Sequence, residues 1–334
     1  MPALRLTVEV EKLMFSAPFR IAGYVMEHQD ALIVTLEDGR HRGRGEASGV
    51  FYLEDKVPAM AARVEGLRSR IEAGIDRAAL QKLLPPGGAR NALDCALWEL
   101  EAQRAGRPVW SLAGIATPRP LVTTFTLSAD EPAAMAAGAR RYASARALKV
   151  KLTGELELDR ARITAIRAAR PEVWLGVDAN QGYRIEQLRP LIETLLACRV
   201  ELIEQPLARG READLEGFSS PIPLAADESV LGLDEVAALV GRFEVVNIKL
   251  DKCGGLTEAL AMAHEARRLG LRVMVGNMMG TSLAMAPAFV LGQLCDVVDL
   301  DGPTFLTHDR TPAVQYRDGL IWCDEGVWGG PQAH

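Results

Sequence analysis

Seven short apolar runs in this chain each end in a polar or charged residue, and they recur at about the interval that one β-strand plus its crossover helix consumes. They are ALKVKL with Lys149 and Lys151, VWLGVDAN with Asp178, ELIEQP with Glu204, PLAADES with Asp227, VVNIKL with Lys249, RVMVGN with Asn277, and VVDLD with Asp299 and Asp301. Alternating strands and helices wind into a parallel sheet, and when such a sheet closes its strand ends meet at one rim. The spacing predicts a (β/α)8-type TIM barrel whose first strand is VTTFTLS.

The periodicity changes on either side of that ladder. Residues 4–47 alternate apolar and polar, which predicts an antiparallel meander, and 56–113 carry apolar residues at three- and four-residue steps, which predicts helices. The tail, with AVQYRDGLIWC, reads as a strand pair returning to the first module. The expected organisation is an α+β capping domain over residues 1–118, joined by the tail 311–334, around a barrel over 119–310. A chain of 334 residues accommodates both.

Several function classes are excluded. The net charge of -6 comes without a basic stripe, so nucleic acid is not an expected partner. No apolar stretch is long enough to span a bilayer, nor does the N-terminus carry a leader-type apolar segment, so neither a membrane nor export is expected and the protein reads as cytoplasmic. Five scattered cysteines without a CxxC pair predict free thiols. No glycine-rich phosphate loop is present, and none of the five histidines sits at a strand end.

The chemistry follows from which side chains share a face. Alternation along a strand points Lys149 and Lys151 the same way, and likewise Asp178 with Asn180 and Asp299 with Asp301. Asp178, Glu204 and Asp227, from consecutive strands, converge as an all-oxygen donor set, which favours Mg2+ or Mn2+ over zinc or copper. Lys151 on the second strand and Lys249 at the end of the sixth face each other across a ring of eight, one lysine to each side of a carboxylate's α-carbon. Lys149 adds positive charge beside them. Each residue also has a structural alternative. Asp299 and Asp301 could cap a helix, Asn180 and Glu228 could stabilise the rim, and Lys252 becomes the base if the sixth strand ends later.

The segments KVK, DANQG, EQP, ADES, NIKLDKCGG and ALDCALWEL together resemble the enolase superfamily, in its muconate-lactonizing subgroup, over nearly the whole chain. The resemblance implies that Lys151 and Lys249 are the acid/base pair, that Lys149 supports the substrate carboxylate, and that Asp178, Glu204 and Asp227 bind one Mg2+ that stabilises an enediolate. The Asp299-x-Asp301 pair is similar to the one with which dipeptide epimerases of the L-Ala-D/L-Glu type hold the substrate's α-ammonium group. It implies epimerisation at the C-terminal residue of a dipeptide. Racemases of N-acylated amino acids, succinylbenzoate synthases and cycloisomerases of the same subgroup are the alternatives, followed by a barrel that only binds a ligand. In this family a capping-domain loop closes on the site, here SAPFRIAGY, whose Arg20 either meets an acidic substrate side chain or forms an ion pair elsewhere. A second loop lies near ASGVFYLED, and Asn277 and Met278 are expected in the pocket wall. Many members form symmetric assemblies, so a homo-oligomer is possible.

Overall fold

The structure, a computed structural model, describes residues 4–21 and 24–331. Strands β1 (Arg5–Ile21), β2 (Tyr24–Glu37) and β3 (Arg42–Ala47) form the antiparallel meander in the order β1-β2-β3. One face of the meander carries Leu6, Leu32, Val34 and Leu36, buried against Met60, Val64, Leu93 and Leu97 from helices Val57–Glu65 and Gly88–Ala105. The β1–β2 register shifts between Met14 and Phe19, and the far end of the hairpin leans on the barrel rim. There Phe19 meets Phe305 edge-to-face at 5.1 Å, and Thr307 N donates to Met14 O at 2.9 Å.

A two-residue strand, β4 (Leu121–Val122), precedes an eight-stranded parallel sheet. Its members are β5 (Thr124–Leu127), β6 (Ala147–Lys151), β7 (Trp174–Asp178), β8 (Leu202–Glu204), β9 (Leu224–Ala226), β10 (Val245–Ile248), β11 (Arg272–Val275) and β12 (Val297–Val298), in sequential order. This is the parallel (β/α) barrel that the strand-end spacing predicts. Five crossovers contain α-helices of ten residues or more, whereas those after β8 and β9 are 3-10 turns, Glu212–Leu215 and Leu233–Leu239. After β12 comes the turn Gly302–Phe305.

Side-chain alternation builds the interior in layers. Leu202, Ala225, Val245 and Met274 form a buried cluster with Trp174 and Val297 beside them. Two residues further along most of these strands, the same inward face presents Glu204, Asp227, Asn247, Gly276 and Asp299. An apolar floor thus lies beneath a polar layer, as the strand-end pattern requires. Between β12 and β5 no backbone ladder forms among the described residues; side chains close the seam. Thr124 Oγ1 donates to Asp299, Thr126 N donates to Asp301 Oδ2 at 2.6 Å, and Leu300 N donates to Thr123 Oγ1 at 3.0 Å.

The tail supplies β13 (Gln315–Arg317) and β14 (Leu320–Trp322), which pair antiparallel with each other and, through β14, with β4. Further on, Trp328 Nε1 donates to Arg44 O at 2.9 Å and Gly329 N to Glu99 Oε1 at 3.2 Å, so the tail is fastened both to the barrel's entry strand and to the capping module. The long helix explains the ALDCALWEL segment. Its Asp94 accepts from Thr257 N at 2.9 Å and Thr257 Oγ1 at 2.6 Å, and its Trp98 Nε1 donates to the same hydroxyl at 3.0 Å, fastening cap to barrel.

Candidate active site

The polar layer opens into a cavity at the barrel mouth. Its lining brings together Lys149, Lys151, Asn180, Asp227, Glu228, Lys249, Asn277, Met278, Asp299 and Asp301, all singled out in the sequence. Asp178 and Glu204 lie directly behind this lining, 0% and 1% exposed. Charges at such burial require partners. Lys149 Nζ sits 2.7 Å from Glu204, 2.8 Å from Asp299 and 3.1 Å from Asp178. Lys151 Nζ lies 2.6 Å from Asp178 Oδ2, and Lys249 Nζ lies 2.6 Å from Asp227 Oδ2. Asn247 Nδ2 donates to Glu204 Oε1 at 2.9 Å, and Asn277 Nδ2 donates to Asp299 O at 2.6 Å.

Lys252, the alternative base, is oriented differently from Lys249. It is buried and turned away from the cavity, donating to Asp227 Oδ1 at 2.6 Å and Asn247 O at 3.1 Å. Room for the Lys249 side chain depends on Gly276, where a Cβ would stand 2.9 Å from Lys249 Cε and 2.8 Å from Asn247 Oδ1. Asn180 takes a left-handed backbone with φ 40°, and its N–H donates to Asp178 Oδ1 at 3.0 Å. Arg20 lies on β1, and its side chain falls outside the described residues.

Counting Asp178, Glu204, Asp227, Glu228, Asp299 and Asp301 against Lys149, Lys151, Lys249 and Lys252 leaves an excess of two negative charges when all are ionised. The proton affinities express that excess. Burial and the neighbouring Asp178 push Glu204 up to about 8; burial with Asp227 pushes Glu228 up to about 7; burial with Asp299 pushes Asp301 up to about 7. Burial opposes ionisation of Asp178 and Asp227 as well, but Lys151 and Lys149 hold the first, and Lys249 and Lys252 the second, well below the carboxylate range. Burial alone would lower Lys249, yet Asp227 and Glu204 hold it above its ordinary value.

No three His, Cys, Asp or Glu side chains among the described residues stand as a ready-made metal cage, because lysine ammonium groups occupy the space between the carboxylates. The donor chemistry nevertheless fits a hard divalent cation. The donors are all oxygen, the charge excess is two, and Asn180 Oδ1 and Glu228 Oε2 are buried at the cavity without hydrogen-bond partners among the described residues.

Several residues at this site were not singled out in the sequence. Thr124 and Thr126 ride on the first barrel strand beside the Asp299–Asp301 segment, and the inward parity of TFTL is the signal that could have found them. Gln29 and Tyr52 line the cavity from the cap; Tyr52 belongs to the second loop read from the sequence, ASGVFYLED, while only the three-dimensional contacts of the cap reveal Gln29. Phe19 and Met26 close the apolar side of the cavity together with Met279.

Two family models match the chain, the mandelate racemase / muconate lactonizing enzyme N-terminal domain over residues 4–114 and the enolase C-terminal domain-like model over residues 133–327. The chain is 41% identical to the L-Ala-D/L-Glu epimerase of Escherichia coli K12 over 306 residues, 91% of this chain and 95% of the relative. It is 39% identical to the N-acetyl-D-glutamate racemase of a Pseudoalteromonas species over 303 residues, 90% and 95% of the two. Among solved structures, an enolase family member from Agrobacterium tumefaciens with homology to dipeptide epimerases, holding sodium and L-Ala-L-Glu, superposes with a TM-score of 0.93 at 38% identity, covering 98% of this chain and 100% of that one. A dipeptide epimerase from Enterococcus faecalis complexed with Mg and L-Leu-L-Tyr superposes with a TM-score of 0.90 at 28% identity, covering 96% and 97%. Among the described residues no helix is long and apolar enough to cross a membrane.

Proposed function

The chain belongs to the enolase superfamily, in its mandelate racemase / muconate-lactonizing branch, and from that premise we propose that it is a Mg2+-dependent dipeptide epimerase. It is an isomerase that inverts the α-carbon of the C-terminal residue of a dipeptide. One observation carries the assignment of roles. Lys151 from the second barrel strand and Lys249 from the end of the sixth line one cavity, each ammonium held by a carboxylate on its own side, Asp178 or Asp227.

Asp178, Glu204 and Asp227 would hold one divalent cation, Mg2+ with Mn2+ as a substitute, which when bound supplies the positive charge that lets a substrate carboxylate carry a second negative charge. Lys151 as a neutral amine takes the α-proton from one face, and the electron pair of the broken C–H bond moves into the carboxylate as an enediolate. Lys249 as an ammonium gives its proton to the opposite face, the pair returns to carbon, and the configuration inverts. In the reverse direction the two lysines exchange roles. Lys149, set among Asp178, Glu204 and Asp299, keeps positive charge beside the reacting carboxylate, while Asn180 and Glu228 orient the groups around it. Asp299 and Asp301 receive the α-ammonium, with Asn277, Met278 and Arg20 as further substrate contacts.

A racemase of N-acylated amino acids is the second reading, favoured by one feature. Asp299 is already engaged by Lys149 and Thr124, and Asp301, pushed up to about 7, is neutral in part at physiological pH and then donates to an acyl oxygen. NMR of α-deuterium uptake from D2O, with Mg2+, separates the readings. The dipeptide epimerase exchanges the C-terminal α-proton of L-Ala-L-Glu far faster than that of N-acetyl-L-glutamate, and the opposite order assigns the racemase.

A further inference from the structure

Residues 47–55 run from β3 across the barrel mouth and carry Tyr52 to the edge of the carboxylate cluster. Asp251, two residues beyond Lys249, fixes this passage. Its Oδ1 accepts from Ser48 N and from Gly49 N, both at 2.9 Å, and on the far side Ser48 Oγ donates to Met279 O. Gln29 Nε2 donates to Ser48 O at 3.2 Å. Gly49 has φ 70°, and a Cβ there would stand 2.1 Å from Asp55 O, so the turn is set by backbone that no larger residue could adopt without displacement. The 3-10 turn Phe51–Leu53 follows at once, with the Phe51 and Tyr52 rings edge-to-face at 5.3 Å.

The Tyr52 hydroxyl is buried in this position and has no hydrogen-bond partner among the described residues. Its electrostatic neighbours are Asp227, Glu228, Asp178 and Glu204, all on the cation side of the cavity. A phenol is an O–H donor, and a buried donor without an acceptor costs about 1–3 kcal/mol unless a ligand supplies one. The group brought to that side of the site in every substrate considered above is the carboxylate next to the reacting carbon.

We propose that Tyr52 is a substrate-binding residue whose hydroxyl donates to the carboxylate of the residue undergoing inversion, and that Asp251 is the positioning residue that holds its loop in register with Lys249. The inference rests on the proposed function. Because the acceptor is common to all α-carboxylate substrates, the contact is independent of the side chain being epimerised.

The test measures kcat/KM and α-deuterium uptake for Tyr52→Phe on several dipeptides with Mg2+ present, beside the wild type. A hydrogen bond to a charged group predicts a loss of roughly 10- to 100-fold, of equal size for every dipeptide the wild type turns over, with the Tm of the ligand-free protein not lowered. Asp251→Ala is expected to show a loss of the same kind and Asp251→Asn, which retains the accepting oxygen, to restore most of it. The Asp251→Ala/Tyr52→Phe pair should lose little more than the larger single loss, since both remove one interaction. Wild-type rates in Tyr52→Phe, a loss confined to one substrate side chain, or strictly additive losses in the pair would overturn the inference. A wild type inert on all these substrates instead fails the proposed function, and the inference with it.

Discussion

Binding of Mg2+ to the metal-free protein should expel protons, and the number follows from the charge excess. Burial and neighbouring carboxylates push Glu204, Glu228 and Asp301 up, so the metal-free site holds carboxyl protons at neutral pH. The excess of two negative charges in the layer sets their number at no more than about two. A dication that cancels the excess removes the reason for those protons to stay, so about one to two are released per site at pH 7. The sign is fixed by the upward shifts. Protons must leave for the cation to bind, so affinity rises with pH from about 6 and levels off only about one unit above the Glu204 value of about 8, where the carboxylates are ionised. Isothermal titration calorimetry of Mg2+ in buffers of different ionisation enthalpy reads the proton count directly. An enthalpy that is the same in every buffer at pH 7, with affinity flat between pH 6 and 8, would refute the charge argument.

Gly276→Ala should push Lys249 and Asn247 aside and lower kcat by about 100-fold while KM moves little, since misplacing a reacting group by about 1 Å costs that much; steady-state kinetics check it. Asp301→Asn should cost free-amine dipeptides roughly 2–5 kcal/mol of kcat/KM, with N-acetylglutamate far less affected, as a comparison of the two substrates would show. Lys252→Met strips one cation from Asp227 and should destabilise the metal-free protein by about 3–5 kcal/mol in urea titrations.

The rim residues are legible in the sequence because short apolar strands leave few places for a charge to point, and each run ends where its polar residue begins. Lys249 rather than Lys252 at the cavity follows the same logic: VVNIK ends the strand, and the short helix Leu250–Cys253 turns Lys252 beneath Asp227. The 3-10 crossovers after β8 and β9 are not legible, since EADL and LDEVAAL carry the composition of ordinary helices. Nor is the pairing of β14 with β4, because a two-residue strand has no periodicity to read. The contact of Tyr52 with the cavity escapes for a third reason. Its loop has no regular pattern, and its place is decided by Asp251, 202 residues from Gly49 in the chain.

The two-lysine mechanism is tested most directly by single-face exchange. Lys151→Ala and Lys249→Ala are each incubated with Mg2+ and each epimer of a dipeptide that the wild type turns over, in D2O, and α-deuterium uptake is followed by NMR. Neither variant should epimerise, yet each should wash deuterium into one epimer only, and the epimer should be opposite for the two variants. Exchange of both epimers by one variant, or of the same epimer by both, would contradict a proton path with one lysine on each face.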